Sequence, residues 1–172
     1  MADAAVVGIS SRLLTDEIQI LSGRTGFTGG IFGYTPADTS EGWYYKLTTV
    51  TTSTGDLIEG GIIQKKDSAI AVGTGQATVH VNDKVKFLWI YNMGTTDGTT
   101  ATSDSVYLNF DDANATHDGK NMFEVPAGNV WFCRVPSTLV GEIHAISGQV
   151  NAAGTGAGNV RCLVCAIIDD VA

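Results

Sequence analysis

From residue 84 to 91 the chain reads Lys-Val-Lys-Phe-Leu-Trp-Ile-Tyr. Val85, Phe87, Trp89 and Tyr91 form one alternating set, and Lys84, Lys86, Leu88 and Ile90 the other. Period two over this length is the signature of a β-strand. The lysines assign the second set to an outer face near the strand start. Beyond them both sets are apolar, as expected for a strand running into the middle of a sandwich. Residues 160–168 also alternate with apolar residues on both faces, which predicts a central strand. Residues 43–50, aromatic and β-branched, predict the first strand of the domain.

Shorter segments fill the interval. Residues 57–63 read as one strand carrying a glycine pair, Gly60-Gly61, at a bulge or a close crossing. Residues 69–72 and 76–81 are short strands, and Val106, Leu108 and Phe110 alternate with Ser105, Tyr107 and Asn109. Residues 122–129 form a strand ending in a Pro-Ala-Gly turn, with 130–135 as its hairpin partner and 143–147 following. The intervening stretches, 92–103, 111–120 and 151–158, are rich in Gly, Thr, Asp and Asn, the residues of turns and loops. The pattern predicts an all-β fold, an antiparallel β-sandwich or jelly roll over residues 43–172. Residues 1–42 then form an N-terminal extended arm and lead-in.

Within that lead-in, residues 11–20 fit a short helix or an extended strand equally. Residues 23–34 carry five glycines with apolar residues between them. This is too glycine-rich for a helix interior and too apolar for a free linker. Two readings stand: an arm that wraps another surface, with Phe27, Ile31, Phe32 and Tyr34 as its partner contacts, or a lead-in packed on its own domain.

A length of 172 residues suits one domain with a sizeable core. Charged residues are few (16%) and apolar ones plentiful (44%), which leaves weakly polar surface suited to burial against copies or neighbours. The net charge of −8 excludes nucleic acid as a main partner, since phosphate binding needs clustered Lys and Arg. No apolar run is long enough to span a membrane, and the first residues lack the features of a secretory signal. The expectation is a chain that stays in the cytoplasm where it is made. Cys133, Cys162 and Cys165 fit a reducing compartment. Cys162 and Cys165, three apart on a strand, should point to opposite faces, so buried apolar thiols are expected rather than a redox or metal pair.

Catalytic chemistry is not indicated, and no catalytic, cofactor-binding or metal-ligating residues are assigned. His80, His117 and His144 have no Ser, Cys or carboxylate at a spacing that makes a nucleophile and base. His144 and Glu142, two apart on a strand, are expected to form a surface ion pair. Asp111, Asp112 and Asp118 depart from the spacing of a calcium loop, so a solvated loop is expected there. Asn114-Ala115-Thr116 is a glycosylation sequon in a chain expected to remain unexported. The Gly-rich stretch 151–158 precedes a strand, not the helix that a dinucleotide site requires. Trp43, Tyr44, Trp89 and Trp131 all fall within strand patterns and are read as core.

Two segments carry a family resemblance. Residues 84–92, followed by a Gly/Thr loop and Ser105-Val106-Tyr107-Leu108, form the first; residues 123–132, a strand, a Pro-Gly turn and a strand, form the second. Together they resemble the core of small tailed-phage virion proteins, of the capsid decoration or cement type, over roughly residues 80–170. That resemblance implies a β-sandwich or jelly roll assembling as a homotrimer on the capsid surface after synthesis in the host cytoplasm. The major capsid protein is the implied partner, and no functional residues carry over. The alternative is a carbohydrate- or receptor-binding sandwich of a phage tail or fibre, which should show aromatics at loop tips.

Overall fold

The computed structural model describes residues 40–65, 76–110, 122–148 and 158–171. The expected strand at 69–72, the Asp111–Asp118 loop with its ion and sequon readings, His117, the glycine loop up to 157 and the arm contacts Phe27, Ile31, Phe32 and Tyr34 lie outside them.

The described chain is an antiparallel β-sandwich. Its strands are β1 (Glu41–Val50), β2 (Gly55–Asp56), β3 (Ile62–Lys65), β4 (Gln76–Thr78), β5 (Lys84–Asn92), β6 (Val106–Asn109), β7 (Phe123–Val125), β8 (Val130–Leu139), β9 (His144–Ser147) and β10 (Val160–Asp169). One sheet has the order β4-β3-β1-β10-β5-β8 and the other β2-β9-β6-β7. β10 lies centrally, as its two apolar faces predict, paired with β1 from Glu41↔Asp169 to Val50↔Val160 and with β5 on its other side.

The core fills the space between the sheets. Val85, Leu88 and Ile90 of β5 and Cys162, Val164, Ala166 and Ile168 of β10 meet Val106, Leu108, Val125 and Ala145 of the smaller sheet. Leu57, Ile58, Val140 and Ile143 close the ends. Burying each Val, Leu or Ile side chain among them contributes about 1.5–3 kcal/mol.

Three sequence expectations change in the folded chain. First, Val85 does not share a face with Phe87, Trp89 and Tyr91. Ile167 pairs with Phe87 and Ile168 with Val85, so Lys86 is an extra residue, a bulge that reverses the alternation. Val85 therefore points inward with Leu88 and Ile90. Opposite the bulge, β8 skips from Arg134 to Thr138, with Ser137 at φ 57°.

Second, residues 57–63 are not one strand. Leu57 and Ile58 sit in the core after β2, and β3 starts only at Ile62 in the other sheet. The glycine pair makes the transfer, Gly60 at φ 58° and Gly61 at φ 102°. A Cβ on Gly61 would lie 2.8 Å from the Tyr44 ring, so the close crossing is the correct half of the expectation.

Third, residues 123–125 and 130–135 are not hairpin partners. β7 pairs with β6 in the smaller sheet, while β8 pairs with β5 in the larger. Asn92, at the end of β5, fixes this sheet change. Its buried amide donates to the carbonyls of Asp104 (2.9 Å) and Val125 (3.0 Å) and accepts from the Gly94 N–H (2.9 Å). Its backbone N–H donates to Asn129 O, and its carbonyl accepts from Gly128 N–H. One residue thus ties the loop after β5 to the turn between β7 and β8.

Replacing Asn92 with Ala strands one buried carbonyl, a part-buried carbonyl and a part-buried N–H. Asn92→Ala should cost about 3 kcal/mol, read as a Tm drop of roughly 6–12 °C. Tyr44→Phe is the contrasting case, because the Tyr44 hydroxyl is buried with no hydrogen-bond partner among the described residues. Thermal denaturation should find Tyr44→Phe at or above wild-type stability; a loss comparable to that of Asn92→Ala would refute the assignment.

Candidate interaction face

The side of the larger sheet turned away from the core is the most unusual surface of the described chain. Three rows cross β1, β10, β5 and β8 in register. The first is Leu47, Leu163, Tyr91 and Val130; the second is Tyr45, Cys165, Trp89 and Phe132; the third is Trp43, Ile167, Phe87 and Arg134. The first two rows contain no charged residue. Tyr45 is 76% exposed, Leu47 47% and Val130 45%. Trp43, Trp89, Tyr91, Phe132, Leu163 and Cys165 are half-buried, while Phe87 and Ile167 are buried at the third row. Trp89 and Tyr91, two apart on β5, have ring centroids 6.3 Å apart.

Polar groups frame this patch at both ends. Beyond the first row, Arg161 donates to Thr49 Oγ1 at 3.0 Å. Beyond the third, Lys86 Nζ lies 3.2 Å from Asp169 Oδ2 and donates to Ser137 Oγ at 3.0 Å, while Ser40 Oγ donates to Asp169 Oδ1 at 2.7 Å. At strand and residue spacings of a β-sheet, the two uncharged rows cover on the order of 260 Å². Contiguous apolar patches of a few hundred Å² with a polar rim are often functional.

The strand patterns predict Trp43, Tyr44, Trp89 and Trp131 in the core. Only Tyr44 is fully buried there; Trp43 and Trp89 stand on the outer face. Trp131 packs at the core margin with Phe110 and Phe123, at centroid distances of 5.6 and 5.1 Å. The signal for the outer face was present in the sequence. Strands 84–91 and 160–168 are apolar in both alternating sets, and a second apolar set must be covered by something.

The titratable groups are engaged structurally. His144 Nδ1 lies 3.0 Å from Asp56 Oδ1, so the expected partner Glu142 is replaced by a residue of β2. Glu142 instead accepts the Leu139 N–H at 3.2 Å, in the 3-10 turn Val140–Glu142. His80 Nδ1 accepts from the Asn82 N–H at 3.3 Å. Asp97, in the exposed loop after β5, accepts from the Thr100 and Thr99 N–H groups, which hold its carboxyl well below the usual carboxylate range. An open cavity of about 150 Å³ beside β1 and β2 is lined by Thr48, Thr51, Ser53, Asp56 and Glu59, hydroxyls and carboxylates with no imidazole–nucleophile pair among them. Among the described residues no cluster of His, Cys, Asp and Glu gathers to hold a metal, and no helix is long and apolar enough to cross a membrane.

Cys162 and Cys165 point to opposite faces, Cys162 into the core and Cys165 outward. Burial raises all three thiols, Cys162 to about 12 and Cys133 to about 11, from the ordinary 9.0. Burial also raises the Tyr44 phenol from 10.0 to about 12. Burial opposes ionisation of each group in the fold. Its contribution is complete below the unfolded pKa and is lost as pH rises through the folded one. Stability should therefore decline between about pH 9 and 12. At pH 8.5, iodoacetamide should leave Cys162 unmodified in the native protein and alkylate it after unfolding. Native labelling of Cys162 at the rate of a free thiol would overturn its burial.

No family model matches the chain, and neither a curated relative nor a solved structure matches it.

Proposed function

We propose that this chain is a capsid decoration (cement) protein, a virion component that binds the outer surface of a phage shell and stabilises it by bridging capsid subunits. The observation carrying the reading is the uncharged outer face Leu47–Leu163–Tyr91–Val130 and Tyr45–Cys165–Trp89–Phe132, with Tyr45, Leu47 and Val130 exposed, on a sheet whose other side is core. Such a module acts by burial, not by bond chemistry. A patch of about 260 Å² gives a weak single contact, because a stable pairwise interface buries about 800 Å² per partner. Weak contacts become effective when a lattice offers many of them at once, since linked sites bind with multiplied strength. The sequence resemblance to small phage virion proteins points to the same use and supplies the implied partner, the major capsid protein.

Tail- or fibre-borne glycan binding is the second reading. It draws on the Phe110–Phe123–Trp131 cluster, whose Phe123 is 48% exposed.

Cosedimentation with undecorated shells separates the two. Wild-type protein should pellet with shells, and Tyr45→Asp/Leu47→Asp should bind at least tenfold more weakly while its Tm stays within a few degrees. Equal binding by both proteins removes the outer face from the mechanism. Glycan binding that Phe123→Ala abolishes, with no shell binding by wild type, replaces decoration with the receptor-binding reading.

A further inference from the structure

Beyond the third row, adjacent ends of β1, β10 and β5 bring three charged side chains together. Lys86, the extra residue of the β5 bulge, places Nζ 3.2 Å from Asp169 Oδ2, and the two side chains are only 20% and 19% exposed. Glu41 of β1 stands directly opposite Asp169 in the register and is itself 4% exposed. Directly opposed residues of an antiparallel pair share a face, with Cβ atoms about 4.5–5.5 Å apart. The neighbouring row is Trp43, Ile167 and Phe87, the last two buried, so apolar side chains flank the group on that side.

Two hydroxyls hold the lysine and the aspartate from either side. Ser40 Oγ donates to Asp169 Oδ1 at 2.7 Å, and Lys86 Nζ donates to Ser137 Oγ at 3.0 Å. These partners suit an amide as well as they suit an ion pair. In an amide, Oδ1 is the carbonyl oxygen and keeps the Ser40 hydroxyl, and Nζ keeps one hydrogen for Ser137. Oδ2, the oxygen in contact with Nζ, is the atom that leaves. In free solution an ammonium and a carboxylate stay apart; reacting groups held in contact reach effective concentrations of about 10⁵–10⁸ M.

We propose that Lys86 and Asp169 form an intramolecular amide cross-link that joins the start of β5 to the end of β10. Nζ attacks Cγ and forms the N–C bond, the Cγ–Oδ2 bond breaks, and Oδ2 leaves as water. The ammonium gives up two protons and the leaving oxygen takes both, so atoms and charge balance with no oxidant, reductant or co-reactant. Glu41, buried beside Asp169, is the carboxylate placed to carry those protons. The Ser40 hydroxyl is placed to stabilise the negative charge that develops on Oδ1. Closing the chain from residue 86 to 169 restricts the unfolded state, as a disulfide closing the same loop does.

The intact mass of the denatured full-length protein reads the bond directly. Wild type should be lighter than its sequence by one water, and a proteolytic digest should contain the peptide around Lys86 joined to the peptide around Asp169. Lys86→Arg and Asp169→Ala should each keep the full sequence mass. Asp169→Asn should form the same amide by releasing ammonia, and so reach the mass of cross-linked wild type. Glu41→Gln should lose water at least tenfold more slowly while keeping the native circular dichroism spectrum. A wild type that stays at full mass after prolonged incubation holds an ion pair only, and overturns the proposal. So does a loss of water that survives in Lys86→Arg. Cross-linking of Glu41→Gln at the wild-type rate overturns the part given to Glu41.

Discussion

The position of β10 constrains everything else. A strand paired with β1 along its whole length and with β5 from Cys162 to Asp169 has most of its backbone polar groups committed within the sheet, so its side chains decide what lies above and below. One face, Val160, Cys162, Val164, Ala166 and Ile168, closes the sandwich. The other, Leu163, Cys165 and Ile167, is apolar as well, and β1 and β5 match it with Tyr45, Leu47, Trp89 and Tyr91. A sheet with one core is built with two apolar faces.

The connections use a few buried polar side chains as anchors. Asn92 joins the end of β5 to the Gly94 loop and to the sheet-changing turn at Gly128. At the opposite end of β5, Asp83 is fully buried and accepts the His80 N–H at 2.7 Å and the Val171 N–H at 3.2 Å, while its carbonyl accepts from Val140 N–H. The turn before β5, the 3-10 turn and the chain end after β10 are thereby held at one point. In such small assemblies of hydrogen bonds each group is satisfied by another part of the chain, so losing one costs more than a typical surface bond.

Strand content and the central place of β10 were legible because period-two alternation is local. The opposed Cys162 and Cys165 followed from the same rule. The faces of β5 were not legible, since a bulge at Lys86 depends on how β10 and β8 pair with it and leaves no mark in the composition. The break at Gly60-Gly61 was visible as a glycine pair, but the transfer between sheets was not. That choice is made by Leu57 and Ile58 entering the core and by the Tyr44 ring filling the space where a Gly61 side chain would stand. His144 met Asp56 instead of Glu142 because β2 pairs with β9, a contact between residues far apart in sequence.

By itself the sequence determined an all-β chain, its long strands, its low charge and the absence of any local catalytic spacing. These depend on neighbours along the chain or on composition. Only the tertiary structure decided that Val85 faces inward, that β7 and β8 part company, and that Trp43 and Trp89 stand on an outer face. Each of those outcomes depends on which strands share backbone hydrogen bonds, and that is fixed by contacts between distant segments.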